Sequence, residues 1–133
     1  MLKENSFVYD DWHPVGALAE AVVGKPCHTR ILGQAICYTR TPDGLIAHLA
    51  DSSQPLKTLI VYGLLWVSLS AQPRRILAIP EFEETDRRVV SAGSIRVATS
   101  GLRVVENFLD MAHFPFVHTD ILGAEPLTEV AAY

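Results

Sequence analysis

The stretch that decides the fold is Leu56-Lys57-Thr58-Leu59-Ile60-Val61-Tyr62-Gly63-Leu64-Leu65-Trp66-Val67-Ser68-Leu69. It is dominated by branched aliphatic and aromatic residues, the types that suit a pleated, half-buried surface. Tyr62-Gly63 breaks it in the middle. Two such runs around a short break predict a hairpin or one long bent strand. The segment also contains the longest apolar run, Leu59 to Leu69. That run is far short of the ~20 residues a membrane-spanning helix needs.

Working upstream, Thr29-Arg30-Ile31-Leu32 and Ala35-Ile36-Cys37-Tyr38-Thr39 read as strands flanking a turn at Gly33-Gln34. Thr41-Pro42-Asp43-Gly44 is a second turn, because proline presets φ and aspartate bonds nearby amides. Leu45 to Ala50 is a third strand. Residues 14–23 read as a short helix, with Pro14 near its start and Gly24 as its stop.

Downstream, a loop carrying Pro73 and Pro80 leads into the acidic run Glu81 to Asp86, a solvated loop. Arg88 to Ala98 reads as another strand, with Val89, Ile95 and Val97 facing inward. The period then changes. Leu102, Val105, Leu109 and Ala112 are spaced 3, 4 and 3 apart, which predicts an amphipathic helix with Ser100 as N-cap. Pro115 should end or kink it. Thr119 to Tyr133 has no strong period and is expected to be loose. Short strands first and one helix after them make a mainly β chain.

The composition narrows the partners. The chain has 133 residues with 11 Lys+Arg against 15 Asp+Glu, a formal net charge of −4. That length suits one domain. The mild acidity argues against nucleic acid, since phosphate binding needs a clustered basic surface. Two cysteines, Cys27 and Cys37, are too few for a disulfide framework and are expected to be reduced. The first twelve residues lack a secretory apolar core, so a cytoplasmic protein with no membrane attachment is expected. Apolar residues make up 49% and mean hydropathy is positive. That is more than a small lone domain easily hides, and it points to self-association or to a missing neighbouring domain.

The densest polar constellation is Glu106-Asn107-Phe108-Leu109-Asp110-Met111-Ala112-His113-Phe114-Pro115-Phe116-Val117-His118. Asp110 and His113 share a helix face at a spacing of three. His118 follows Pro115, where a bend can swing it back toward His113. Two imidazoles beside a carboxylate suit a borderline metal such as iron(II). The alternative for the same spacing is capping, packing and solvated polar residues. His13 and His48 read as structural, and Trp12 and Trp66 as core or interface aromatics.

This stretch resembles the mononuclear-iron motif E-N-x-x-D-x-x-H-x-x-x-x-H of the large (α) subunits of Rieske-type ring-hydroxylating oxygenases. Trp12-His13-Pro14-Val15 resembles their W-Y-P-V opening, and Gly24-Lys25-Pro26 and Leu32-Gly33-Gln34 their G-K-P and L-G-E region. Pro42-Asp43-Gly44 is similar to their D-G turn, Tyr62 to Val67 to Y-G-L-I-W-V, and Pro80-Glu81-Phe82 to I-P-E-F. The matches run in order over residues 12–123. The resemblance implies a Rieske-like antiparallel β-sandwich or barrel over residues 1–98, without its cluster loops. Residues 99–133 would then be the helix and tail that begin a catalytic domain. It also makes His113 and His118 candidate mononuclear-iron ligands and gives Asp110 the role of the family's bridging aspartate.

The departures are as informative. A Rieske 2Fe-2S cluster needs C-x-H and then C-x-x-H about 16–20 residues later. The interval that should hold them runs from Ala47-His48-Leu49-Ala50-Asp51 straight to Ser52-Ser53-Gln54-Pro55-Leu56, with one histidine and no cysteine. Cys27-His28 and Cys37 have neither spacing. The family's carboxylate ligand also lies well beyond its histidine motif; Asp120 and Glu125 could approach a metal, but no motif supports them.

The expectation is therefore a degenerate oxygenase-related protein with no 2Fe-2S cluster and, at most, weakly held Fe(II). It would be an oligomeric relic or accessory module, without hydroxylase activity alone. One rival is a component of a split oxygenase, in which another chain supplies cluster and carboxylate. Another is a binding module for a small molecule or an oxygenase subunit. With the relic reading, a homo-oligomer burying the face of Leu102, Val105, Leu109 and Ala112 is expected. The ligand count predicts that anaerobically purified protein contains no acid-labile sulfide and less than one iron per chain. Two irons and two sulfides per chain would overturn it.

Overall fold

The computed structural model describes residues 7–123 and 129. The chain forms two compact units, Met1–Ser94 and Ile95–Tyr133. The first unit carries six strands: β1 (His13–Ala17), β2 (Pro26–Ile31), β3 (Gln34–Thr41), β4 (Gly44–Leu49), β5 (Lys57–Val61) and β6 (Leu64–Ser68). They make two antiparallel three-stranded sheets, in the orders β1-β6-β5 and β2-β3-β4.

The opening stretch is a hairpin. β5 pairs with β6 from Lys57↔Ser68 to Val61↔Leu64, leaving Tyr62-Gly63 as a two-residue turn. Both turn residues have positive φ, 56° and 69°. That is the turn geometry whose twist matches the right-handed twist of the flanking strands. Leu32 and Gly33 repeat it between β2 and β3, with φ of 47° and 86°.

Alternation along the strands builds the core. Ile31, Ile36, Leu45 and Ala47 of one sheet cluster with Leu65 and Val67 of the other, and Leu69 closes the group. Leu65 and Val67 have no exposed surface at all. Burying a side chain of that size stabilises by about 1.5–3 kcal/mol. Two sheets joined through one apolar layer make this a sandwich, and the molecule is mainly β as expected.

Two expected elements are corrected. Residues 14–23 are not a helix: they contain most of β1 followed by a loop. Their carbonyls serve distant partners instead of the next helical turn. The Arg40 guanidinium donates to the Leu18 and Ala21 carbonyls at 2.9 and 3.1 Å. The Leu18 amide donates to the Gly63 carbonyl, and β1 itself occupies the free edge of β6. Arg88 to Ala98 is not a strand either, and Val89, Ile95 and Val97 are 54%, 90% and 61% exposed. A strand needs a neighbouring edge for its amides, which alternation of side chains does not supply. Among the described residues no helix is long and apolar enough to cross a membrane.

This packing predicts that Leu65→Ala costs about 3 kcal/mol of unfolding free energy. Ile60→Ala, on the exposed side of β5, should cost under about 1 kcal/mol. Urea unfolding of the two variants checks the difference.

Candidate functional site

The second unit begins with α1 (Gly101–Leu109). Ser100 caps it in extended geometry, its hydroxyl accepting the Arg103 amide at 3.4 Å. Arg103 and Glu106 pair one turn apart on the surface at 2.6 Å. The apolar stripe expected from the sequence is present, but no residue of α1 is buried.

The helix stops earlier than its hydrophobic spacing predicts, at Leu109 and not Ala112. Asp110 leaves helical geometry with ψ at 96°, and its carboxylate accepts the Ala112 amide at 3.0 Å. An aspartate that bonds the backbone two residues on competes with helix continuation. The chain then turns into α2 (Phe114–Val117), with Pro115 in its first turn and buried. Proline there sacrifices no hydrogen bond, because early helical amides have no intrahelical partner.

This short turn brings the predicted site residues together. His113 precedes α2 and His118 follows it, the His118 amide donating to the Phe114 carbonyl. The two imidazole centroids are 5.4 Å apart, with the planes inclined at 60°. Two imidazoles on one ion, with N–metal bonds of about 2.0–2.1 Å, place their centroids roughly 5 Å apart. Phe114 lies edge-on against both rings, at 4.9 and 6.0 Å. Asp110 Oδ2 stands 3.5 Å from His113 Nδ1. With the proton on Nδ1 toward that carboxylate, Nε2 presents its lone pair.

The donor set is incomplete. Among the described residues, no group of three or more His, Cys, Asp or Glu side chains is arranged to hold a metal ion. Asp120 sits in a turn with φ of 66°, its amide bonded to the Gly123 carbonyl. Glu125 lies outside the described residues. The pair His113 and His118 fits two of the positions that a mononuclear iron centre requires.

The remaining candidates take structural places. His13 Nε2 is 3.1 Å from the Val8 carbonyl, and His48 Nδ1 is 3.0 Å from the Leu49 carbonyl. Cys27 and Cys37 are free thiols on β2 and β3. Between β4 and β5 the chain closes tightly. Leu49 and Leu56 amides donate to Gln54 and Ala47 carbonyls, and His48 bridges to Pro55. Sequence reading missed a cavity against Trp12 and Trp66, because tryptophans in a strand-rich segment read as core.

Replacing the cap in Ser100→Ala should destabilise α1 by about 1 kcal/mol. A loss of helical signal at 222 nm with the sheet unfolding midpoint unchanged is the expected result.

Comparison with known proteins bears on this geometry. Residues 97–133, which contain α1, α2 and both histidines, match the family of the vanillate O-demethylase oxygenase C-terminal domain. Over all 133 residues the chain is 71% identical to the probable methylxanthine N7-demethylase NdmC of Pseudomonas sp. (strain TJI-51). The chain spans 47% of that relative's length. The C-terminal residues are thus similar to an oxygenase C-terminal domain, and the chain along its whole length is similar to just under half of a probable demethylase.

Proposed function

We propose that this chain works as one component of an oxygenase that demethylates a methylated purine, contributing His113 and His118 to a mononuclear iron centre. The observation that carries the reading is the pair of imidazoles 5.4 Å apart, with Asp110 beside one of them. The likeness to a methylxanthine demethylase supplies the substrate class. Iron bound there would supply oxygen activation.

The chain's own part is to place two imidazoles. Asp110 Oδ2 stands 3.5 Å from His113 Nδ1, Phe114 packs edge-on against both rings, and α2, with Pro115 buried in it, sets their separation. Electrons and a third ligand come from other parts of the assembly, since neither Rieske spacing occurs in the chain. The second reading is a non-catalytic accessory domain that inherits the histidines unused. It is favoured by the lack of a three-donor group among the described residues.

Anaerobic titration with Fe(II) separates the two. The catalytic reading expects the double substitution His113→Ala with His118→Ala to weaken iron binding at least tenfold. Equal binding by both proteins would leave the accessory reading. The expected homo-oligomer belongs to the same proposal. Leu102, Phe108 and Leu109 are 78%, 76% and 66% exposed on α1, and apolar surface of that extent is usually covered by association. Sedimentation should show a species larger than the 14.6 kDa chain. A monomer at working concentration would remove that part.

A further inference from the structure

The outer face of the β1-β6-β5 sheet carries a cavity, within the first unit. Here the segment 74–82 lies across the sheet and is tied at both ends. At one end, the Trp12 indole donates to the Arg74 carbonyl at 2.8 Å, and the Arg74 amide donates to the Asp10 carbonyl at 2.8 Å. At the other, the Tyr62 hydroxyl donates to the Leu77 carbonyl at 2.9 Å and accepts the Ile79 amide at 3.1 Å. The Tyr62 ring also packs on Phe82, with centroids 4.7 Å apart. Between these ties the segment spans a cavity of about 300 Å³, lined by Asp11, Trp12, Trp66, Arg75, Ile76 and Leu77.

Three observations together specify an occupant. The two indoles are held by their own N–H groups, Trp12 to Arg74 and Trp66 to the Val61 carbonyl at 3.1 Å. Fixed indoles offer π faces at little further entropic cost. Asp11 and Arg75 contribute side chains that make no hydrogen bond or ion pair among the described residues. An acceptor and a donor beside aromatic walls match a flat molecule carrying both ring N–H and carbonyl groups. The pair also cancels in charge, which favours a neutral occupant over an anion or a cation.

We infer that this cavity binds a neutral, planar, fused nitrogen heterocycle of the xanthine type, stacked on the indoles and bonded by Asp11 and Arg75. The choice of a purine probe rests on the reading above; the cavity and its chemistry do not. Trp12 and Trp66 are the two tryptophans of the chain, so their indole N–H signals in a ¹⁵N-correlated NMR spectrum report the cavity alone.

Titration with 7-methylxanthine should shift both indole signals saturably. Arg75→Ala and Asp11→Asn should each weaken binding about tenfold while leaving the other amide signals in place. Vanillate, a single-ring anion, should bind far more weakly. Still indole signals at millimolar ligand, equal response to vanillate, or unchanged affinity in both variants would each overturn the proposal. The shifts should persist after His113→Ala with His118→Ala, and their loss there would also overturn it. If iron binding ignores the histidines while the indoles still respond, the oxygenase reading falls and this site stands.

Discussion

The contact between Leu65 and Val67 of β6 and the facing residues Ile36, Leu45 and Ala47 is what the first unit is built on. β6 is the middle strand of its sheet, paired on both edges, so it can neither slide nor turn over without breaking two ladders. A one-residue slip would drive Trp66 into the apolar layer and expose Leu65 and Val67. The same register therefore sends Trp66 to the outer face, where segment 74–82 lies over it. Core and cavity are two sides of one alternation.

The histidine site obeys a different constraint. His113 and His118 are five residues apart, which on a continuous helix would leave them on different faces. Asp110 ends α1 by bonding the Ala112 amide, and Pro115 starts a separate short turn. His113 and His118 are instead the two caps of α2, and His118 leaves helical geometry with φ −117° and ψ 39°, so the rings meet across that single turn. Asp110 acts twice, once as a helix stop and once as the partner of His113 Nδ1.

The short loop between β4 and β5 joins the two sheets with few residues. Ser53 adopts a positive φ of 53°, and the flanking Leu49 and Leu56 amides find carbonyls on either side of it. A two-sheet sandwich joined by so short a loop keeps its strands in register through local backbone bonds.

The strands β2 to β6 and the helix start at Ser100 were legible in the residues, because each depends on neighbours close in sequence; Asp110 and His113, read as one helix face, meet instead across the break after Leu109. Alternation, turn dipeptides and a capping serine are local signals. What failed was nonlocal. Residues 14–23 have helical composition, yet β6 offered them an edge and Arg40 took their carbonyls. Arg88 to Ala98 alternates like a strand, yet no edge receives it. The cavity was invisible for the same reason: Trp12, Trp66 and Arg75 come from three separate segments that only the folded chain brings together. Sequence determines which conformations a segment favours. Which of them survives is decided by whether distant backbone groups and apolar faces are there to meet it.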